Sequence, residues 1–481
     1  MELDKLLNGI QVERIIGNKD IDVKDVVMDS KNVTNNSLYI CIKGKEYDGH
    51  DFIDKVVNYG CIAIVSEKEL DTSVTQIIVQ NSRSAMAKLA SNFYGNVDEK
   101  MKLVAVVGTN GKTTTSHLIK DVLESSNVKC GVIGTLGIYY CDKYFEPTLT
   151  TPDPLELHRI LFNMYECGVE CVVMEVSAHA IFYEKVKNLK FHTAVFTNFS
   201  QDHLDFFENM ENYKNTKLKF FKENECKCVV SNSDDQVGNE ISKLCKNCIT
   251  YGLDNPADIF AVNISCKPKK TTFFINVLDF VGNIQLKMLG FFNVYNALAC
   301  AGVCYSLGIK QEKIIEALNR VKTVSGRLEN VYSGEFDVII DYAHTPDGLN
   351  KSLLSVRPFV SNRLICVFGC GGNRDVTKRS VMGEISGALA DFTIITSDNP
   401  RFEEPMEIIC QIEQGVSKKT KKYLLIEDRE DAIKYALDVA CKGDIILIAG
   451  KGSETYQEVL GIKIPYNDKD TVKEILRSMG F

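Results

Sequence analysis

A glycine-containing turn between a strand and a helix constrains this chain more than any other feature. The turn joins an apolar run at residues 103–107 to a helical pattern, and its residues are Gly108, Thr109, Asn110, Gly111, Lys112, Thr113 and Thr114. Backbone N–H groups of such a turn and the helix N-terminus cradle phosphates, while the lysine reaches the outer phosphates and a threonine hydroxyl binds magnesium. Val106 stands where the general motif has its first glycine. The turn predicts a nucleotide-binding α/β domain.

Two further polar residues follow strand-like runs downstream of this turn. Glu175 comes directly after an apolar run at 171–174, and His203 comes shortly after another at 193–196. Because the carboxyl ends of parallel strands meet at one edge of a sheet, we expect this carboxylate and imidazole to converge on the turn. They would hold magnesium there, directly or through water.

The order of strand-like and helical runs predicts three α/β domains, as does a length of 481 residues. We expect a small N-terminal α/β domain at 1–99 and a central P-loop-type nucleotide-binding domain with a mainly parallel sheet at 100–328. A C-terminal Rossmann-like α/β domain should occupy 329–481. Strand-like runs lie at 37–42, 61–65, 76–79, 338–340, 364–368, 392–396 and 444–448.

Charge and hydropathy exclude several classes of function. The chain has 56 basic and 64 acidic residues, a net charge of −8, so it offers no basic field for nucleic acid. No apolar stretch is long enough for membrane insertion, and no secretory signal is visible, so we expect a cytoplasmic protein with reduced cysteines. A zinc site is disfavoured by the spacing of Cys226, Cys228, Cys245 and Cys248.

A series of motifs along almost the whole chain resembles the Mur ligase family. They are Asp29-Ser30, Asp48-Gly-His-Asp-Phe52, Gly108-Thr-Asn-Gly-Lys-Thr113, Thr150-Thr-Pro152, Met174-Glu-Val-Ser-Ala-His-Ala180, Thr197-Asn-Phe-Ser-Gln-Asp-His-Leu-Asp205, Phe292-Asn-Val-Tyr-Asn296, Gly326-Arg-Leu-Glu329, Asp341-Tyr-Ala-His-Thr-Pro-Asp347, Gly369-Cys-Gly-Gly-Asn-Arg-Asp375 and Asp398-Asn-Pro-Arg401.

This resemblance implies an ATP-dependent amide-bond-forming ligase of cytoplasmic peptidoglycan precursor synthesis. The D-glutamyl carboxylate of UDP-N-acetylmuramoyl-L-alanyl-D-glutamate would attack the γ-phosphate of ATP to give an acyl phosphate. This step would release ADP, and the amine of meso-2,6-diaminopimelate would then displace phosphate from the acyl phosphate. Such chemistry needs charge neutralisation and two substrates held close together rather than an enzyme nucleophile.

The resemblance also assigns residues to the ATP site. Lys112 and Thr113 would bind the outer phosphates and magnesium, and Glu175 and His203 would complete the metal shell. Asn296, Arg327 and Asp341 would hold the nucleotide. Lys217 stands where the family carries N6-carboxylysine, a carbamate that orients a second magnesium.

For the nucleotide-sugar substrate, the resemblance points to Ser30, Thr150, Thr151, Ser177 and Lys185. The chain departs from the family pattern at Lys31, which usually is Arg, at Ala178, which often is Ser, and at Lys185, which usually is Arg. Lysine keeps the charge of arginine but loses its planar bidentate fork. We therefore expect an altered substrate contact at Lys185 and an unchanged reaction class.

The motif at Asp398, Asn399 and Arg401 selects the amino acid in the resembling enzymes. A guanidinium repels the bare ammonium of L-lysine, whereas the distal carboxylate of diaminopimelate accepts two parallel hydrogen bonds from it. The resemblance adds Arg374 as a second cation and assigns the distal amino group to Gly450 and Glu454. Ser453 stands where relatives generally have His.

Three alternative functions fit the sequence less well than the one above. A nicotinamide fingerprint fails after Gly369 and Gly371, because its third glycine would fall on Arg374. A non-catalytic nucleotide switch would not need the Asp-Asn-Pro-Arg motif. The serious alternative is a lysine-adding enzyme or another amide ligase of the same superfamily, such as folylpolyglutamate synthetase. Closure of the C-terminal domain and a monomeric state are further expectations.

Overall fold

The computed structural model describes residues 1–44, 47–267 and 270–480. The chain divides into two compact units. The first contains Met1–Val107, Asn127–Ala194 and Thr216–Cys228, and the second contains Gly108–Ser126, Val195–Asn215 and Val229–Phe481. Within the described ranges, no helix combines the length and the apolar character that a bilayer span needs.

A five-stranded sheet forms the N-terminal part of the first unit. Its strands are β1 (Val12–Ile16), β2 (Asp25–Val27), β3 (Ser37–Ile40), β4 (Cys61–Ser66) and β5 (Thr75–Val79). The helices are α1 (Leu3–Leu6), α2 (Ile53–Asn58) and α3 (Ser82–Phe93). The strand order is β1-β5-β4-β3-β2, with only the pairing of β1 and β5 antiparallel. Helix α3 begins after Asn81, whose side chain accepts the Ser84 N–H.

The central part of the chain alternates strands and helices. Its strands are β6 (Lys102–Val107), β7 (Cys130–Gly134), β8 (Gly137–Tyr140), β9 (Lys143–Phe145), β10 (Cys171–Val176), β11 (Phe191–Phe196), β12 (Cys226–Asn232), β13 (Cys248–Gly252), β14 (Ile259–Lys267), β15 (Lys270–Val277) and β16 (Phe280–Leu286). Its helices are α4 (Lys112–Ser125), α5 (Pro154–Glu166), α6 (Ala178–Phe182), α7 (Leu204–Phe207), α8 (Met210–Glu223), α9 (Gln236–Leu244), α10 (Phe292–Ser306) and α11 (Gln311–Arg320).

Parallel pairing dominates these central strands. In the first unit, β10 pairs in parallel with β6 and β7, and the antiparallel strands β8 and β9 extend this run. In the second unit, β12, β13 and β14 are parallel, and β15 and β16 continue antiparallel from β14. Strands β6 and β10 are almost wholly buried, as continuous apolar runs in a parallel sheet should be.

A six-stranded sheet forms the C-terminal part. Its strands are β17 (Glu329–Ser333), β18 (Asp337–Asp341), β19 (Leu364–Phe368), β20 (Phe392–Ile395), β21 (Tyr423–Leu425) and β22 (Ile445–Ala449), followed by the hairpin β23 (Tyr456–Val459) and β24 (Ile462–Pro465). The helices are α12 (Pro346–Val356), α13 (Thr377–Leu389), α14 (Pro405–Val416), α15 (Arg429–Asp438) and α16 (Asp468–Met479). The order is β17-β18-β22-β19-β20-β21, parallel except for β17.

Alternation along β19 divides the C-terminal core between the two faces of its sheet. Leu364, Cys366 and Phe368 pack with α12, α13 and α14. Ile365 and Val367 lie in a second cluster with α15 and α16. A strand places successive side chains on opposite faces, so an unbroken apolar run indicates helices on both sides. The predicted Rossmann-like character of this part is confirmed.

The predicted α/β class with a mainly parallel central sheet is confirmed. The sequence did not predict the antiparallel strands β14, β15 and β16, although the burial of β14 and β15 alternates over much of their length. Such alternation is typical of a sheet with one buried face and one exposed face. Antiparallel strands of this kind are joined by short turns and not by a crossover helix. The boundaries at residues 99 and 328 stay predictions.

Candidate active site

The turn at residues 108–114, called the phosphate loop from here on, requires both of its glycines. Gly108 and Gly111 have positive φ angles of 155° and 84°. A Cβ at Gly108 would lie 1.9 Å from Thr197 Oγ1, and one at Gly111 would lie 2.6 Å from Asn296 Oδ1. Helix α4 begins immediately afterwards at Lys112. The N–H groups of its first turn therefore open towards this loop.

Long-range hydrogen bonds hold the tip of the loop. Asn110 N–H donates to Asn198 Oδ1 at 2.9 Å, and Asn198 Nδ2 and Thr197 Oγ1 donate back to the Asn110 carbonyl at 2.9 and 2.7 Å. Asn110 Nδ2 donates to Ser200 Oγ and to Asp347 Oδ2. The loop is thus fixed before a nucleotide binds.

The Lys112 side chain folds over its own loop. Its Nζ donates to the carbonyl oxygens of Gly108 at 3.0 Å and Thr109 at 2.8 Å. Thr113 and Thr114 are buried beside it, at 5% and 4% exposure. Lys112 is also the first residue of α4, so its cation and the N-terminus of this helix are both suited to the outer phosphates of a nucleotide.

Two of the predicted nucleotide residues contact the start of α4. Arg327 donates from a terminal nitrogen to Thr113 Oγ1 at 3.0 Å, and its guanidinium carbon lies 4.3 Å from the centroid of the Tyr342 ring. Asn296 accepts from Thr115 Oγ1 at 3.3 Å. The structure therefore brings Asn296 and Arg327 to the loop as predicted.

Within the described part of the chain, Asp341 makes no hydrogen bond to the phosphate loop; it holds the backbone next to Arg327, which does contact the loop. Its carboxylate accepts from Leu328 N–H at 2.7 Å, Ala343 N–H at 3.1 Å and Ser352 Oγ at 2.8 Å. Burial raises the pKa of Asp341 in spite of these hydrogen bonds and the nearby Arg327. The carboxyl group is committed to fixing the backbone that follows Arg327.

An acidic residue that sequence reasoning did not single out lies next to His203. Asp202 Oδ2 lies 3.3 Å from His203 Nε2 and 3.9 Å from His344 Nε2. Burial raises the pKa of Asp202, but His203, His344, Lys378 and Lys112 outweigh burial and lower it to about 2. Asp202 is therefore an ionised carboxylate among four cationic or titratable groups. Its position beside His203 in the motif was the available signal.

Glu175 lies at the carboxyl end of β10, opposite Val106 of β6. Its carboxylate accepts from Thr135 N–H at 3.0 Å and from Thr135 Oγ1 at 3.1 Å. A Cβ at Gly134 would lie 2.3 Å from Glu175 Oε1, so only glycine leaves room for this side chain. Glu175 therefore lies at the end of its strand, as predicted. The neighbouring strand β6 ends at the same level and leads directly into the phosphate loop.

Three of the predicted nucleotide-sugar residues form one cluster around Glu175. Thr151 Oγ1 donates to the Glu175 carbonyl at 2.9 Å and accepts from Ser177 N–H at 3.1 Å. Thr150 Oγ1 lies 3.2 Å from Thr135 Oγ1. The hydroxyls of Thr150, Thr151 and Ser177 are thereby gathered at the end of β10.

Lys185 lines a cleft of about 430 Å³ in the same unit. Its ammonium forms an ion pair with Asp153 at 2.8 Å. Arg83, which sequence reasoning missed, lines the same cleft, donates to the Lys43 carbonyl at 2.8 Å and lies 5.2 Å from the Tyr183 ring centroid. The cleft therefore presents three cations and one carboxylate.

Ser30 and Lys217 are both buried, at 8% and 1% exposure. Ser30 lies in the turn after β2, and Lys217 lies within α8. The carbamate at Lys217 stays a prediction.

The donor atoms present fit magnesium by their chemistry. In the second unit they are the Thr113 hydroxyl and the Asp202 carboxylate, which lies beside the His203 imidazole. In the first unit the donor is the Glu175 carboxylate. Within the described ranges, no group of three or more His, Cys, Asp or Glu side chains is arranged to hold a metal. Magnesium keeps several waters and binds substrate phosphates, so it needs few protein ligands.

Arg401 is fixed at the C-terminal end of its motif with a positive φ of 53°. Its N–H donates to the Glu458 carbonyl at 3.0 Å, and its carbonyl accepts from Leu460 N–H at 2.7 Å. The side chain donates from Nε to Glu458 Oε2 at 2.9 Å and from one terminal nitrogen to the Gly372 carbonyl at 2.8 Å. A positive φ in a residue other than glycine marks a conformation that the surrounding structure must impose.

A buried lysine connects the other predicted amino-acid ligands. Lys451 Nζ is fully buried and donates to Asn399 Oδ1 at 3.0 Å and to Glu454 Oε2 at 2.9 Å. Asn399 Nδ2 also donates to Glu454 Oε2 at 3.0 Å, and Asn399 Oδ1 accepts from Glu458 N–H at 2.9 Å. Asn399, Arg401 and Glu454 therefore belong to one hydrogen-bonded group.

The remaining predicted amino-acid residues surround this group unequally. The Asp398 carboxylate lies beside Gly450, where a Cβ would be 2.6 Å from Asp398 Oδ2, and Gly450 has a φ of 112°. Arg374 is exposed on the loop after β19. Asp398, Gly450 and Arg401 are thus held in place, whereas Arg374 extends into solvent.

Two ion pairs that sequence reasoning missed support the loops of the amino-acid pocket. This name is used for the group formed by Asp398, Asn399, Arg401, Gly450 and Glu454. Arg379 is fully buried and bonds Glu403 at 2.8 and 3.0 Å. Arg429 bonds Asp468 at 2.7 and 2.8 Å and also donates to the carbonyls of Ser397 and Ala449. Those carbonyls directly precede Asp398 and Gly450 in the chain.

Family comparisons match three parts of the chain. The Mur ligase family, catalytic domain, matches residues 22–94; the Mur ligase middle domain matches 106–304; and the Mur ligase, glutamate ligase domain, matches 326–452. The UDP-N-acetylmuramoyl-L-alanyl-D-glutamate--2,6-diaminopimelate ligase of Alkaliphilus oremlandii is 44% identical over the full length of both chains. The ligase 1 of that name from Clostridium acetobutylicum is 42% identical, again over the full length of both chains.

Solved structures agree with this assignment. A structure of a UDP-N-acetylmuramoyl-L-alanyl-D-glutamate--2,6-diaminopimelate ligase is similar with a TM-score of 0.72 and 28% identity, covering 100% of this chain and 99% of that one. MurF ligase from Thermotoga maritima in complex with ADP shares the fold, with a TM-score of 0.66, 22% identity and coverage of 95% and 97%. The three-domain α/β fold is confirmed, and the chain belongs to the Mur ligase family.

Proposed function

We propose that this chain is the ATP-dependent ligase that adds meso-2,6-diaminopimelate to UDP-N-acetylmuramoyl-L-alanyl-D-glutamate, with ADP and phosphate as the other products. The observation that carries the choice of amino acid is the pairing of opposite charges in the C-terminal pocket. The Arg401 guanidinium suits a carboxylate, and the Glu454 carboxylate suits an ammonium group. The distal end of diaminopimelate carries both groups, whereas L-lysine carries only the ammonium.

The phosphate loop performs the first half of the reaction. Lys112 and the backbone N–H groups at the N-terminus of α4 neutralise charge on the phosphoryl group as the D-glutamyl carboxylate attacks it. Asn296 and Arg327 position the nucleotide, and Asp341 fixes Arg327. Electrostatic positioning of this kind supplies most of the catalysis in phosphoryl transfer.

Thr113, Glu175 and His203 would hold magnesium, which would supply positive charge to the outer phosphates of ATP. The Asp202 carboxylate accepts the His203 backbone N–H at 2.9 Å and lies 3.3 Å from His203 Nε2, so it positions His203. Lys217 carries the carbamate, which replaces a buried cation with an anion able to orient a second magnesium. Activity should therefore fall in buffer stripped of carbon dioxide and return when bicarbonate is added.

The nucleotide sugar binds through Ser30, Thr150, Thr151, Ser177 and Lys185. This assigns residues 1–99 to the UDP end of the substrate, 100–328 to ATP and 329–481 to the amino acid. The second half of the reaction follows when the amine of the bound amino acid attacks the acyl phosphate. The enzyme acts in the cytoplasm as a monomer and uses no nucleic-acid or membrane partner.

The decisive experiment measures ATP-dependent phosphate release with the nucleotide-sugar dipeptide and either meso-diaminopimelate or L-lysine. Release with diaminopimelate and only weak release with lysine is the expected result. A preference for lysine would keep the phosphate chemistry and overturn the assignment of the pocket. Release with neither amine would overturn the proposed substrate pair.

A further inference from the structure

The amino-acid pocket contains a carboxylate that the proposed reaction does not use. Glu458 lies on β23, 57 residues after Arg401, and accepts from Arg401 Nε at 2.9 Å. Both side chains are partly shielded, at 20% exposure for Arg401 and 24% for Glu458. An anion beside the cation that should bind the substrate carboxylate needs an explanation.

The bond from Nε decides which edge of the guanidinium remains available. Arginine has five N–H donors, and Arg401 gives the one on Nε to Glu458 and one on a terminal nitrogen to the Gly372 carbonyl. Among the contacts of the described residues, the three donors that remain are all on the two terminal nitrogens. A planar carboxylate can still bind this end through two parallel hydrogen bonds.

The same residue also fixes the backbone on which Arg401 stands. Glu458 accepts the Arg401 N–H through its carbonyl and donates its own N–H to Asn399 Oδ1. Arg401 and Asn399 are therefore both registered against one residue of β23. The left-handed conformation of Arg401 depends on this register, because isolated residues of its type rarely adopt it.

We propose that Glu458 is a positioning residue for amino-acid recognition, which holds Arg401 so that its terminal nitrogens face the distal carboxylate of the incoming amino acid. This inference rests on the proposed function. Glu458 does not contact the reacting atoms, so its effect should fall on binding of the amino acid and on the discrimination against lysine, and not on phosphoryl transfer.

The test compares Glu458→Ala and Glu458→Leu with Glu458→Gln, which keeps an oxygen that accepts from Arg401 Nε. We expect the first two to raise the KM for diaminopimelate about tenfold, since an oriented charge-assisted hydrogen bond is lost. Their kcat at saturating diaminopimelate and their KM for ATP should stay within about twofold. Glu458→Gln should stay within about threefold of the original chain in every constant.

Ile462→Thr is the matched control, because Ile462 is 66% exposed on the same hairpin and lies outside the pocket. It should leave all constants unchanged. If Glu458→Ala does not fold, Glu458→Leu and Glu458→Gln still separate loss of the acceptor from loss of charge.

A lower KM for diaminopimelate in Glu458→Ala would overturn the inference, since Glu458 would then be a competing anion. An unchanged KM, or an equal loss of kcat with every amine, would overturn it as well. The proposed function fails separately: in that case the original chain itself would not use diaminopimelate.

Discussion

The phosphate loop and the amino-acid pocket solve the same problem of presenting a cation to an anion in different ways. The loop uses consecutive residues, glycine conformations and one flexible lysine, Lys112, which rests on its own carbonyl groups. The pocket uses three separated segments and an arginine, Arg401, which is fixed at its backbone and at its guanidinium.

The difference reflects what each site must recognise. A triphosphate offers many oxygens in several directions. The ammonium of one lysine and the N–H groups of a helix N-terminus are therefore sufficient to bind it. An amino acid that differs from its competitor by one carboxylate must be read by a fork in a fixed orientation. We therefore expect substitutions in the loop to stop the reaction with every amine and those in the pocket to change which amine is used.

The largest effect should come from Lys112→Ala. Loss of the cation over the phosphates should lower kcat for phosphate release about a thousandfold with diaminopimelate and with lysine alike. Steady-state phosphate release at saturating substrates measures this effect. Lys120→Ala on the outer turn of the same helix is the control and should retain normal activity. Loss with only one amine would contradict the division between loop and pocket.

Asp468→Ala should have the next largest effect, on folding rather than on chemistry. Asp468 and Arg429 form a fully buried ion pair, and removing one partner leaves an unpaired buried charge. The free energy of unfolding should fall by about 3–5 kcal/mol. Urea unfolding measures this change. Asp470→Ala, at an exposed position in the same first turn, is the control and should cost about 1 kcal/mol or less. Equal losses in the two variants would show that the pair does not hold the pocket loops.

Arg401→Ala tests the pocket directly. Without its guanidinium, the kcat/KM for diaminopimelate should fall about a hundredfold, because the substrate carboxylate loses two charge-assisted hydrogen bonds. The kcat/KM for lysine should not fall, so the ratio between the two amines measures the effect. Arg477→Ala on the exposed face of α16 is the control. A parallel loss with both amines would mean that Arg401 supports the fold and does not read the substrate.

The phosphate loop and the amino-acid pocket also differ in how well the sequence predicts them. The phosphate loop was predictable because Gly108, Gly111, Lys112 and Thr113 lie within six residues of one another and require no partner to be recognised. Glu175 was predictable because it ends an apolar strand. The parallel sheets followed from continuous apolar runs that alternate with helical patterns.

The supporting residues of the pocket were not predictable in this way. Glu458 lies 57 residues from Arg401, and Asp468 lies 39 residues from Arg429. An acidic residue on an exposed hairpin or at a helix start usually is a solvated charge, so only the folded arrangement identifies its partner. Arg83 was missed for the same reason, because the residues that line the cleft with it lie at least about 40 positions away in the sequence, from Lys43 to Lys185.

The smallest effect should come from Lys185→Arg, which tests whether a point charge also suffices in the nucleotide-sugar cleft. Lys185 is already paired with Asp153, and Arg83 supplies a fork to the same cleft. The KM for the nucleotide sugar should therefore change by only about threefold, whereas Lys185→Met should raise it about tenfold by leaving Asp153 unpaired. Initial rates at varied nucleotide sugar and saturating ATP measure both constants. A tenfold gain from arginine would place this cleft with the amino-acid pocket, as a site where orientation of the cation, and not its charge alone, decides binding.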